Sequence, residues 1–300
     1  MTTVLRVEHL QKRYGHFVAV DDVSFSVEAG EIFGILGPNG AGKTTTVECL
    51  QGLRVADGGE LSVLGHDPRR EAKLLRRKIG SQLQESALPD RMKVWEALEF
   101  FSTLTSGGPD WESVMEQWGL AEKRDAAFGS LSGGQQQRLF VALAVVNAPE
   151  LVFLDEMTTG LDPSSRRVAW SLIRQIRDSG ATVVLVTHFM DEAENLCDRL
   201  AVIADRRVVA IDTPDGLIDR YAGEAEVTFS TDAAEIAFLA KVEGVEGVER
   251  TGRRVAVTGH GAVLANVAAA LVARGEAPTD LRVRRASLED AFLRITGEVD

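Results

Sequence analysis

Residues 31–45 read EIFGILGPNGAGKTT: a short apolar run, a glycine-rich turn from Gly37 to Gly42, then Lys43, Thr44 and Thr45 opening a helical pattern. Gly37-Pro38-Asn39-Gly40-Ala41-Gly42-Lys43-Thr44 matches G-x-x-x-x-G-K-[ST] in full, in the strand-to-helix context that the motif requires. Glycines let backbone N–H groups turn inward around phosphate oxygens. The helix N-terminus that follows adds partial positive charge. Lys43 would then bridge the β- and γ-phosphates of a nucleotide, and the Thr44 hydroxyl would ligate Mg²⁺. Such a loop exists only where a buried strand delivers it to the edge of a sheet, so the feature specifies an α/β fold with a P-loop NTPase core.

The rest of the chain agrees with a largely parallel sheet. VLRVE (4–8) and VSFSVE (23–28) alternate apolar and polar residues, as half-covered strands do. ELSVL (60–64) reads as a strand and 70–78 as a basic helix, while 86–147 is helix-rich and holds Trp95, Trp111 and Trp118. LVFLDE (151–156) and TVVLVTH (182–188) are continuous apolar strands ending on polar residues, the pattern of strands covered on both faces. AVIADRRVVAI (201–211) reads as a hairpin with Asp205-Arg206 near its tip. An apolar strand delivers its last side chains to the carboxyl edge of the sheet, where ligands bind in open α/β folds. Asp155 is thereby placed to hold Mg²⁺, and Glu156, pointing elsewhere, to polarise an attacking water.

Leu131-Ser132-Gly133-Gly134-Gln135 opens a helix with a serine and two glycines, a second helix end suited to an anion. One chain thus carries two phosphate-binding helix ends and one phosphate-loop lysine. At this point the sequence resembles the ATP-binding subunits of ABC transporters, whose signature is LSGGQ. The resemblance spans about residues 4–215. It implies that Gln84 is the glutamine sensing Mg²⁺ and the permease, that Asp162 in Gly160-Leu161-Asp162 belongs to the D-loop, and that His188 contacts the γ-phosphate. It implies that Tyr14 stacks on adenine. Met157 departs from the proline usual after the catalytic glutamate. The implied catalytic set is Glu156, His188, Lys43 and Gln84, with Thr44, Gln84 and Asp155 around Mg²⁺. ATP lies against Tyr14, the loop residues Gly37 to Thr45, Asp162, and Ser132 and Gly134 contributed by the opposite subunit of a head-to-tail dimer.

Composition enters where partners are concerned. Against 33 Lys and Arg stand 45 Asp and Glu, a net charge of −12, which opposes a nucleic-acid protein relying on a broad basic face. No stretch approaches the ~18 apolar residues of a membrane helix, and the N-terminus lacks a secretory pattern. Cys49 and Cys197 are far apart and read as structural. The expectation is a soluble, cytoplasmic, acidic chain.

The composition shifts near Tyr221-Ala222-Gly223. Beyond it a strand (225–230), helix (232–241), strands (244–250 and 253–258), helix (261–274) and strand (280–285) give a βαββαβ order, followed by a last helix, 287–296. The expected organisation is an ATP-binding domain over 1–220, with a helical subdomain at about 86–147, and a small α+β ferredoxin-like domain over 221–300. The tail, with DGLIDRYAG (215–223) and SLEDAFLRITG (287–297), resembles the drug-export type, similar to daunorubicin-resistance ATPases. That resemblance implies a homodimeric motor beneath a separately encoded permease, at the cytoplasmic face of the membrane, exporting drugs, antibiotics or lipids. The alternatives are an importer subunit, or a soluble ATPase of this class acting in assembly, translation or DNA repair.

Overall fold

The computed structural model describes residues 2–82, 88–104, 108–233, 235–276, 278, 280–284 and 286–297. The chain divides into two compact units, Met1–Pro214 and Asp215–Asp300. The change of composition at Tyr221 thus falls a few residues inside the second unit.

In the first unit β1 (Thr3–Tyr14), β2 (Phe17–Glu28) and β3 (Ile32–Leu36) precede α1 (Lys43–Leu50). Then come β4 (Gly58–Val63), α2 (Pro68–Leu75), β5 (Ile79–Gln82), α3 (Val94–Ser102), α4 (Trp111–Gln117) and α5 (Gly133–Val145). The unit is completed by β6 (Leu151–Asp155), α6 (Pro163–Asp178), β7 (Thr182–Thr187), α7 (Met190–Leu196), β8 (Arg199–Ala204) and β9 (Arg207–Asp212). One sheet runs β4-β1-β2-β9-β8-β3-β7-β6-β5. β1 pairs antiparallel with β2 and β4, whereas β5, β6, β7, β3 and β8 run parallel. β1 and β2 are twice as long as their alternating cores suggest, because they pair with each other almost to the Tyr14↔Phe17 turn. The helix expected at 70–78 starts earlier, at Pro68, since Asp67 caps it by accepting from Arg69 N at 2.9 Å.

Every residue of β3, β6 and β7 is buried. Phe33, Ile35, Phe153, Val184 and Val186 belong to the main core, each such side chain contributing about 1.5–3 kcal/mol of burial. That explains the absence of alternation in these strands. At the β8–β9 hairpin, Asp205 and Arg206 both take positive φ, 48° and 67°, the type I′ turn that matches strand twist. Cys49 and Cys197 are buried free thiols, and burial pushes Cys49 up to about 11, so neither serves as a nucleophile.

The second unit opens within α8 (Pro214–Leu217) and contains β10 (Ala225–Ser230), β11 (Val245–Thr251), β12 (Arg254–Gly259), α9 (Val263–Ala273), β13 (Arg282–Arg284) and α10 (Leu288–Thr296). Its antiparallel sheet is ordered β11-β12-β10-β13. This is the split βαβ topology of ferredoxin-like folds. Val227, Phe229, Val255 and Val257 pack on Val263, Val267 and Leu271 of α9. The helix expected over 232–241 is replaced, among the described residues, by one 3₁₀ turn at Ala237–Lys241. Thr231 Oγ1 accepts the Ala233 N–H at 3.0 Å, a short turn that leads into this segment.

Candidate nucleotide site

The parallel register assembles the first part of the site. Leu36 lies beside Thr187 and Asp155 beside Val186, so β3, β6 and β7 release Gly37, Glu156 and His188 at one carboxyl edge. The loop after β3 turns at Gly40 and Gly42, with φ of 80° and 97°. A Cβ at Gly42 would stand 2.4 Å from the Ala19 carbonyl oxygen, and one at Gly37 2.2 Å from that of Ile203, so neither position admits a side chain. Lys43 is buried, and its Nζ donates to the carbonyls of Gly37 (2.8 Å) and Pro38 (3.0 Å). Desolvation lowers its pKa, while Glu156 and Asp155 pull it back up. The loop lines a recess of about 330 Å³ with Phe17, Ala19, Asn39, Gly40, Gly42, Lys43, Thr44, Thr45 and Glu156 around it.

Asp155 is buried, which pushes its carboxyl up to about 6 despite a hydrogen bond from the Thr44 hydroxyl. Among the described residues Asp155 Oδ1 has no hydrogen-bond partner. A buried carboxylate with an open oxygen beside a hydroxyl is an oxygen donor set suited to a hard divalent cation. Glu156 takes a left-handed φ of 48° at the exit of β6, an uncommon conformation for a side-chain-bearing residue. Its amide donates to Val186 O at 2.9 Å, and Met157, in the position usually held by proline, is buried beneath the turn. His188 Nδ1 lies 3.1 Å from Glu156 Oε1, at ion-pair distance but not aligned as a hydrogen bond.

Two other sequence features are set elsewhere. Ser132 caps α5, its N–H donating to Gln135 Oε1 at 3.0 Å, and a Cβ added at Gly133 would meet nothing within 4 Å. Ser132 and Gly134 line a recess with Leu161 and Ser165 that shares no residue with the phosphate-loop recess. Asp162 caps α6, and the side-chain and backbone donors of Ser164 and Ser165 hold its carboxyl well below the usual range. Tyr14 does not line the phosphate-loop recess. It is 41% exposed and flanked by Lys12 Nζ (5.3 Å) and the Arg54 guanidinium (5.6 Å). Phe17, 54% exposed and paired with Tyr14 across the hairpin, lines the recess, and no sequence signal singled it out. Gln84 lies outside the described residues. Gln82, the last residue of β5, is buried beside Leu154, with its Oε1 unpartnered among the described residues.

A P-loop at the edge of a parallel sheet, with a carboxylate pair and a histidine beside it, defines a nucleotide-hydrolysing ATPase. The ABC transporter family matches residues 20–159. The chain is 38% identical over 305 residues to the daunorubicin resistance ATP-binding protein DrrA2 of Streptomyces coeruleorubidus, covering 98% of this chain and 95% of that protein. It is 39% identical over 293 residues to the Nod factor export ATP-binding protein I of Mesorhizobium japonicum, covering 95% and 84%. The solved structure of an ATP-binding subunit of an ABC transporter superposes with a TM-score of 0.65 at 26% identity, over 72% of this chain and 92% of the other. The structure of cbiO1 from Clostridium perfringens, part of the ABC transporter complex cbiONQ, gives 0.66 at 25%, over 73% and 92%. The chain belongs to the ABC transporter ATP-binding family, and it is an ATP-hydrolysing motor subunit of that family.

Proposed function

We propose that this chain powers export of a drug, antibiotic or lipid through a separate membrane permease, hydrolysing ATP in a head-to-tail dimer. The observation that carries the catalytic reading is the Glu156–His188 pair at the edge where Lys43 and Asp155 also end. In this reading Lys43 leaves the loop carbonyls for the β- and γ-phosphates, and the loop N–H groups bind phosphate oxygens. Glu156 accepts the proton of the attacking water, while His188 holds the γ-phosphate side of the site. Tyr14 and Phe17 offer aromatic faces to the base. Thr44, Asp155 and Gln84 would hold Mg²⁺, which when bound neutralises charge developing on the phosphate oxygens. The dimer is supported by the separation of the two recesses: Ser132, Gly134 and Asp162 serve the site of the opposite copy.

No described helix is long and apolar enough to cross a membrane, and in this reading a permease supplies the path. We assign its docking surface to a groove of about 840 Å³ in the first unit, with Leu53, Phe101, Leu104 and Leu143 for apolar contact and Lys73, Arg76 and Arg77 on its rim. These cations concentrate positive charge on a chain whose net charge is −12. The relatives named for daunorubicin resistance and Nod factor export support the outward direction, and in this reading the chain works as a peripheral subunit on the cytoplasmic face.

The test is coexpression with an adjacent gene encoding about six apolar segments, with the protein followed in membranes and dyes and antibiotics screened for efflux. Efflux that disappears with Glu156→Gln supports the reading. A chain that stays out of the membrane fraction beside that permease, with no efflux of any compound, opposes it. Charge reversal at Arg76 and Arg77 is expected to remove membrane copurification by tenfold or so while ATPase activity of the isolated chain persists. Unchanged copurification would move the docking surface elsewhere.

A further inference from the structure

Glu192 is fully buried, yet it belongs to no motif of the ATP site. It sits in the first turn of α7, a short helix reading MDEAENL. Burying a carboxyl is costly unless its oxygens are engaged, and this one has partners from three segments. Trp170 Nε1 of α6 donates to Glu192 Oε1 at 3.2 Å. The hydroxyls of Thr187 and Thr158 also approach the carboxyl, although neither Glu192 Oε2 nor Thr158 Oγ1 has an aligned hydrogen bond among the described residues. Burial raises its pKa, against these three groups.

The location of those partners gives the residue its meaning. Thr187 precedes His188 at the exit of β7. Thr158 lies two residues past Glu156, on the turn that Glu156 enters with left-handed φ. Trp170 lies on the helix that Asp162 caps. One carboxyl therefore touches the segments that carry Glu156, His188 and Asp162. The same helices are joined on either side by Arg166 to Asp191 (3.2 Å) and Arg174 to the Asn195 carbonyl (3.0 Å), both exposed contacts. Arg166 also lies over the Phe189 ring, 4.2 Å from its centroid and next to His188 in the chain, but the central contact is the one made by a fully buried carboxyl.

We infer that Glu192 is a positioning residue that holds Glu156 and His188 in register for hydrolysis and ties the Asp162 helix to them. It touches no substrate. It acts by fixing two strand exits whose side chains meet at 3.1 Å, a geometry in which a displacement of about 1 Å can cost ~10²-fold in rate. The inference rests on the roles proposed for Glu156 and His188.

The test compares Glu192→Ala and Glu192→Gln in the full chain, measuring kcat, KM, melting temperature and affinity for a fluorescent ATP analogue. Glu192→Ala is expected to lose ~10–100-fold in kcat, with nucleotide affinity within about threefold, since the phosphate loop is not among its partners. Glu192→Gln keeps an acceptor for Trp170 and the same volume, and is expected within about threefold of the parent. In a His188→Ala background, Glu192→Ala should add less than about threefold, because both act on one unit. A full multiplicative loss in that background, or equal losses of kcat, affinity and melting temperature, would overturn the inference in favour of a general structural role. Should the Ala variant fail to fold, Trp170→Phe carries the test: a lower kcat with unchanged affinity supports the inference, and an unchanged kcat ends it. Glu156→Gln separates the two levels. If it stays active, the catalytic reading fails; if it is inactive while Glu192→Ala turns over normally, only the inference about Glu192 fails.

Discussion

Glu156→Gln is expected to lower ATP hydrolysis by ~10²–10⁴-fold, the contribution of a positioned general base, while ATP binding is retained. The amide is isosteric, so the left-handed turn, the buried Met157 and the contact with His188 have no steric reason to move. It cannot accept the proton of the attacking water. The γ-phosphate would then persist, and with it the contacts that favour a closed dimer. Size-exclusion chromatography with ATP and Mg²⁺ should find the variant as a dimer under conditions where the parent returns to monomer. Turnover near the parental rate would remove Glu156 from the role of base, and His188, 3.1 Å away, would become the next residue to replace.

Lys43→Ala should act at the earlier step. Lys43 Nζ is held by two loop carbonyls and surrounded by the loop that would receive phosphate. Its removal deletes charge-assisted hydrogen bonds of about 1.5–3 kcal/mol each, so ATP affinity is expected to fall ~10–100-fold or more. The carbonyls of Gly37 and Pro38 also lose a donor, which loosens the loop. Titration with a fluorescent ATP analogue measures this directly. An affinity within twofold of the parent would take Lys43 out of the site. The two variants differ in kind: one binds without turning over, the other loses binding, and hydrolysis assays alone do not separate them.

Much of this was legible because the motifs are local. Gly37–Thr44 describes its own turn, since Gly40 and Gly42 take the positive φ that the pattern demands. LVFLD and TVVLVT announce buried parallel strands by lacking alternation, and all their residues are buried. Ser132 reads as a helix cap and is one. The region 232–241 misled because Ala-rich composition favours a helix, whereas among the described residues it forms one 3₁₀ turn at Ala237–Lys241. Tyr14 was visible as an aromatic in the right stretch. That Phe17, across the hairpin, lines the phosphate-loop recess depends on the long β1–β2 pairing, which extends well beyond the alternating residues.

By itself, then, the sequence determined the phosphate loop, the carboxylate pair and the second helix end, because each is written in residues a few positions apart. Tertiary structure decided which of them meet. Parallel pairing of β3, β6 and β7 brings residues more than a hundred positions apart to one edge, and the two recesses lie apart on a single chain. It also made Glu192 central: within DEAEN it is one acid among several, and only packing of α7 against α6 and the strand exits buries this carboxyl and leaves its neighbour Asp191 at the surface. Long-range register and burial are properties of the folded chain as a whole, and no local pattern encodes them.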